Sequence, residues 1–164
     1  MPAEPTALSK LNAEVVLRYL RVFETQDLDE FAELVAEDVA VHGAGQHVRG
    51  RRYPEGAILS PGLSNCRVQV DDLFAAEDRV VTAFTLTYTH DRTGRDLTMS
   101  GTKSYRLSEG RIVEFWGETD LYSLLRQLGL VPEENPALLT VGPQRVRPVR
   151  RHAPGPVPRG SCRR

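Results

Sequence analysis

Leu8, Leu11, Val15, Tyr19, Val22 and Phe23 recur at steps of three and four, which predicts an amphipathic helix over about 8–24 with Tyr19 on its apolar stripe. A second helix follows almost at once. Asp27 and Glu30 have the spacing of a capping box, and Leu28, Phe31, Leu34 and Val35 supply the buried face behind it, so the helical hairpin is expected to end near Asp38. From Val39 the pattern turns to short β-compatible pieces, Val39 to His42 and His47 to Arg49, separated by glycine turns. A short helix is expected between Arg51 and Ser60, limited by Pro54 and Pro61.

Strands are then predicted at about 65–75, 79–91, 96–107 and 111–118, joined by polar loops such as Ser108-Glu-Gly110 that suit antiparallel neighbours. A last helix over Leu121 to Leu128 has Thr119 or Asp120 as its cap and Gly129 and Pro132 as its stop. Helices, then an antiparallel sheet, then a closing helix define an α+β domain, with the helices covering one face of a curved sheet. Such a cone can enclose an apolar cavity. Strand alternation puts Val80, Phe84, Leu86, Tyr88 and His90 on the bulkier, inner side.

Composition refines this outline. The 164 residues suit one domain, expected over 1–132, and the net charge of −1 is the sum of two unlike parts. Positions 141–164 hold seven Arg and no acid, giving +7, while the rest holds fourteen basic against twenty-two acidic residues, giving −8. Five prolines and three glycines in that stretch give 133–164 the composition of a disordered tail. An arginine-rich tail without a recognition module implies at most unspecific attraction to phosphates, so no specific nucleic acid is expected as a partner.

Two cysteines, Cys66 and Cys162, make no disulfide framework and have no metal-binding spacing, which fits a reducing, cytoplasmic compartment. The first ten residues lack the features of a signal peptide, and no apolar stretch approaches 18 residues, so no membrane association is expected. No phosphate loop, nucleophile elbow or metal-spaced His/Cys set is present, and no cofactor or metal is implied.

Val15-Val-Leu-Arg-Tyr19, Asp27-Leu-Asp29, Ala36-Glu-Asp-Val-Ala-Val41, Val48-Arg-Gly50, Thr87-Tyr-Thr-His90 and Gly110-Arg-Ile-Val-Glu-Phe-Trp116 through Asp120 to Gln127-Leu-Gly129 carry a resemblance. Over about residues 8–132 the chain resembles the SnoaL-like polyketide cyclases and the related ketosteroid isomerases of the NTF2-like superfamily. The resemblance implies an NTF2-like cone and cofactor-free acid/base chemistry beside a substrate carbonyl. It also implies where the family's groups should fall. The isomerases' base aspartate aligns with Gly43, the cyclases' aspartate with Gly117, and a third acidic or histidine slot with Lys103.

Both carboxylate positions therefore hold glycine, and the candidate catalytic residues become Tyr19, His42, His90 and Lys103. Tyr19 matches the isomerases' phenolic donor. Lys103 shares an inner strand side with Met99 and Tyr105, where it could hold an oxyanion or, desolvated, act as a base. His90 would lie near the cavity rim, whereas strict alternation turns His42 outward unless a bulge at Gly43–Gly45 reverses it. Asp120 reads better as a helix cap than as an acid.

Phe84, Leu86, Tyr88, Met99 and Phe115 are the expected substrate-binding wall, widened by Gly43 and Gly117, for a small apolar carbonyl compound of polyketide-like or isoprenoid-like character. The expected function is thus a cyclase or isomerase. Epoxide hydration is a weaker variant without a visible water site, and a non-catalytic ligand-binding protein is the alternative. Trp116 between Glu114 and Glu118 on the opposite sheet face implies a homodimer, as does the family resembled.

Overall fold

The structure, a computed structural model, describes residues 6–43 and 45–131. The expected tail, 133–164, lies outside the described residues.

Thr6 opens α1 (Ala7–Thr25), its hydroxyl accepting the Ser9 amide, and α2 (Leu28–Leu34) follows after a two-residue link. Asp27 caps α2 by accepting the amides of Asp29 and Glu30. Only half of the capping box forms. The Glu30 carboxylate turns instead to Arg18 of α1, 2.9 Å away, and ties the two helices together.

At the other end of α2, Arg51 reaches back to the carbonyls of Ala32 (2.8 Å) and Val35 (2.9 Å from Nε), so a guanidinium satisfies acceptors that the helix leaves free. The chain is already extended at Val35, and β1 (Val35–Gly43) begins four residues earlier than the sequence suggests. Val35 pairs with Ile112 before a register shift at 36–39, an irregular stretch that reads locally as the end of a helix.

The remaining elements are β2 (Gln46–Arg49), α3 (Arg52–Leu59), β3 (Leu63–Ala76), β4 (Arg79–His90), β5 (Arg95–Ser108), β6 (Arg111–Thr119) and α4 (Leu121–Gln127). Each overlaps its predicted counterpart. Glu109 and Gly110, both with positive φ (51° and 74°), make the tight turn that joins β5 to β6, a conformation glycine adopts without strain.

The sheet order is β2-β1-β6-β5-β4-β3. Strands β3 to β6 form an antiparallel meander and β1–β2 a hairpin, but β1 runs parallel to β6, so the sheet is mixed rather than wholly antiparallel. Local turn signals cannot reveal that pairing, because β1 and β6 are about seventy residues apart.

The core lies between α1–α2 and the concave sheet face. Val16, Tyr19, Leu20, Val22 and Phe23 of α1 meet Phe31 and Leu34 of α2 and Val80, Phe84, Tyr105, Ile112 and Phe115 of the sheet. Leu8 and Leu11 do not join them. Both are more than half exposed, and the first turns of α1 bury Ser9 and Asn12 instead, with the Asn12 amide donating to the Glu77 carbonyl (2.8 Å) in the β3–β4 turn.

Candidate functional site

Where the sheet curves away from α1, the space is closed by α3 and α4 rather than filled, leaving a cavity of about 290 Å³. Phe84, Leu86 and Tyr88 of β4, Met99 and Lys103 of β5 and Phe115 of β6 form its sheet wall. All five residues expected as an apolar wall therefore line one space. Helical residues complete it: Phe23 from α1, Tyr53 and Ala57 from α3, Leu121 and Leu124 from α4. Tyr53 and Leu121, 43% and 48% exposed, stand at its mouth. Among the described residues no aspartate or glutamate lines the cavity, and Lys103 and His42 are its basic side chains.

The Lys103 ammonium is bordered by four rings, and the residue as a whole is half-buried. Its Nζ lies 5.3 Å from the centroid of Phe115, 5.5 Å from Phe23, 5.6 Å from Phe84 and 5.8 Å from Tyr19. Burial among these groups lowers its pKa from 10.5 to about 8, since removing water disfavours the charged form. Ring faces return only part of the lost hydration. The Lys103 amine has no ion-pair or hydrogen-bond partner among the described residues.

The two glycines in the expected carboxylate positions have reasons of their own. Gly117 pairs directly with Lys103 across β6 and β5, and a Cβ there would lie 2.9 Å from Lys103 Cγ and 3.0 Å from Cε. A Cβ on Gly43 would run into the Gly117 carbonyl oxygen on the parallel neighbour strand. Both glycines also line the cavity, as expected; in addition Gly117 makes room for the lysine stem and Gly43 allows β1 to approach β6 closely.

Tyr19 is fully buried behind the cavity wall, packed edge-on against Phe23 and Tyr105 with centroids 5.8 Å away in each case. It supports the cage around Lys103 but is not among the residues lining the cavity. Its hydroxyl has no protein partner among the described residues, and burial pushes its pKa well up. At the opposite end of the wall, the Tyr88 phenol meets the Cys66 thiol, and burial pushes the thiol up to about 11.

His42 borders the cavity, yet its ring is engaged on the convex sheet face, as alternation requires. It stacks on Trp116 (4.6 Å between centroids), with Nε2 3.0 Å from Glu114 Oε1 and Nδ1 2.7 Å from His47 Nδ1. Glu114 also accepts from Arg106 at 2.9 Å, and these contacts together hold its carboxyl below the usual range, Arg106 contributing most.

His90 stands apart from the other candidates. It faces Thr93 in the β4–β5 turn (Nδ1 to Oγ1 2.8 Å) and borders a separate cleft with Arg92, Arg95 and Gln127. Alternation identified its side of the sheet but not how far along β4 the cavity extends. That end is covered by α4, whose Gln127 bonds both the amide and the carbonyl of Thr98. Asp120 caps α4 by accepting the Ser123 amide, the structural role expected of it.

The contributions of Tyr53, Ala57, Leu121 and Leu124 were not foreseen. The spacing of Leu121 and Leu124 puts both on one face of α4, and that face lines the cavity. No group of three or more metal-ligating side chains exists among the described residues, and no helix there is long and apolar enough to cross a membrane.

Helices laid over a strongly curved mixed sheet, with a closing helix and a lined cavity between them, define an NTF2-like α+β cone. Residues 16–115 match the SnoaL-like domain model, and the chain belongs to that family. Solved structures agree on the fold. A SnoaL-like polyketide cyclase candidate from Jannaschia sp. CCS1 is 22% identical with TM-score 0.69, covering 79% of this chain and 99% of that one. IdmH from Streptomyces antibioticus, proposed as a polyketide cyclase, is 26% identical with TM-score 0.63 over 72% and 98%. An LEH-like epoxide hydrolase from M. tuberculosis is 19% identical with TM-score 0.61 over 81% and 97%. Comparison with curated proteins gives no match.

Proposed function

We propose that the protein is a cyclase or isomerase acting on a small apolar carbonyl compound, polyketide-like in character, by cofactor-free acid/base chemistry in the cavity. The observation that carries this reading is an amine, Lys103, whose pKa burial lowers, set among four aromatic rings in a cavity to which no described residue contributes a carboxylate. As the free base, Lys103 would take a proton from the carbon beside the carbonyl. As the ammonium so formed, it would stabilise the enolate oxygen or return the proton at the new position. Phe84, Leu86, Met99 and Phe115 would hold the apolar body, and Tyr88 would offer a polar contact at the far end of the wall. With its ring on the convex face, His42 serves the sheet, and His90 lies outside this constellation.

The test is turnover of a panel of cyclisable diketones by wild type, Lys103→Arg and Lys103→Met. Arginine keeps the charge but cannot give up its proton, so the expected result is a loss of kcat of about 100-fold or more in both variants. Undiminished turnover by Lys103→Arg would contradict the reading.

The absence of a carboxylate from the cavity lining also favours a second reading, in which the protein binds such a compound without converting it. Native mass spectrometry separates the two: an added ligand recovered unchanged supports binding alone, and its conversion supports catalysis. As a partner we infer a second copy of the chain on the convex face. There Phe74 (67% exposed) and Trp116 (40%) lie in one row across the sheet, among Arg79, Arg106 and Glu114. A face that carries both signs around an apolar centre is self-complementary under two-fold symmetry.

A further inference from the structure

The chain uses its two basic side chains very unequally. Of twenty-one basic residues only Lys10 and Lys103 are lysines; the rest are arginines. Arginine supplies a permanent charge and no nucleophile, whereas a lysine can lose its proton and then carries a reactive lone pair. Lys10 is an exposed residue of α1, so the amine inside the cavity is chemically set apart from the other basic groups.

Its placement suits more than proton transfer. Four aromatic rings lie around Nζ at 5.3–5.8 Å, and among the described residues no carboxylate lines the cavity and nothing accepts a hydrogen bond from the amine. Gly117 seats the stem, since any side chain there would meet Lys103 Cγ and Cε, so the amine is held at one point of the wall. An amine with a carboxylate partner would stay charged and bound to it. This one faces the space where an apolar ligand would lie.

Resting on the carbonyl-compound reading above, the geometry points to Lys103 as a nucleophile that condenses reversibly with an apolar aldehyde or unhindered ketone in the cavity, forming an imine. The Nζ lone pair adds to the carbonyl carbon, and the C=O π pair moves to oxygen. A proton passes from nitrogen to oxygen to give the neutral carbinolamine. A proton from solvent converts its hydroxyl to water, whose expulsion leaves the iminium; the N–H proton then returns to solvent to give the imine, and addition of water reverses every step. No electrons are gained or lost overall.

The lowered pKa supports this chemistry. With a value of about 8, about a quarter of the amine is free base at pH 7.5, against about one part in a thousand at 10.5.

The test traps the imine in the full-length protein with 3-phenylpropanal and sodium cyanoborohydride at pH 7.5, and peptide mass spectrometry compares the labelling rates of Lys103 and Lys10. The expected result is labelling of Lys103 at least about tenfold faster than Lys10, slowed by 3-phenylpropanol at Lys103 but not at Lys10. Equal or slower labelling of Lys103 overturns the proposal. Calorimetric titration with 3-phenylpropanol identifies what failed. If the alcohol binds while Lys103 stays unlabelled, the imine is wrong and the ligand cavity stands; if it neither binds nor protects, the carbonyl-compound reading falls with it.

Discussion

Gly117 and Lys103 face each other across β6 and β5, and the lysine stem occupies the volume that a side chain at 117 would need. The pair explains why glycine stands at 117: the space is taken by the lysine stem of the neighbouring strand. Gly117→Ala should therefore displace Lys103 and destabilise the fold by roughly 1–3 kcal/mol. Most of that cost should vanish in the Gly117→Ala/Lys103→Ala double variant, because neighbouring substitutions that share one volume are non-additive. Urea unfolding of the four proteins of this cycle measures the coupling, and an equal cost of Gly117→Ala in both backgrounds would contradict it.

Lys103 should also leave a signature in stability against pH. Its folded pKa, about 8, lies below its ordinary 10.5, so between these values the unfolded chain binds the extra proton and stability rises with pH. Below about pH 8 the cost of holding the charge away from water is present in full. Lys103→Met should remove that alkaline rise and, at pH 7, stabilise the protein by roughly 1–3 kcal/mol. Thermal melts of both proteins from pH 7 to 10.5 test this, and parallel curves would count against a desolvated amine.

How far the sequence revealed this site depends on the kind of signal. Period-two alternation was enough to place Lys103 and Met99 inward with Phe84, Leu86 and Tyr88, and to turn His42 outward, because the central strands β4 and β5 are more buried on one side than on the other. It could not place Tyr19 or His90 relative to the cavity. Depth behind a wall and distance along a strand depend on where α3 and α4 close the cone, which is a property of tertiary packing. The parallel pairing of β1 with β6 likewise lies beyond local pattern, and it is this pairing that makes Gly43 necessary.

On the convex face, Glu114 joins Arg106 to His42, and its lowered pKa makes the ionised form part of the folded state's stability. That contribution is present above the ordinary glutamate value, 4.5, and is lost as pH falls through the lower folded value. Glu114→Gln should lower stability near neutral pH and flatten the acid limb below pH 4.5. Urea midpoints between pH 3 and 7 give the comparison; an unchanged acid limb would mean that the cluster contributes nothing.

Self-association through the same face predicts light scattering at twice the 18.3 kDa chain mass. Phe74→Ser combined with Trp116→Ala should return the mass to that of one chain without loss of helical and sheet circular dichroism. A wild-type protein that stays monomeric at tens of micromolar would refute the inferred dimer.

With only two lysines in the chain, the cavity amine is directly observable. With lysine labelled at the ε-carbon with carbon-13, two resonances are expected, of which the one missing from Lys103→Arg should titrate with a pKa near 8. If that resonance instead stays fully protonated to about pH 10, Lys103 is a solvated surface-like cation, and neither proton transfer nor imine formation in the cavity can be its role.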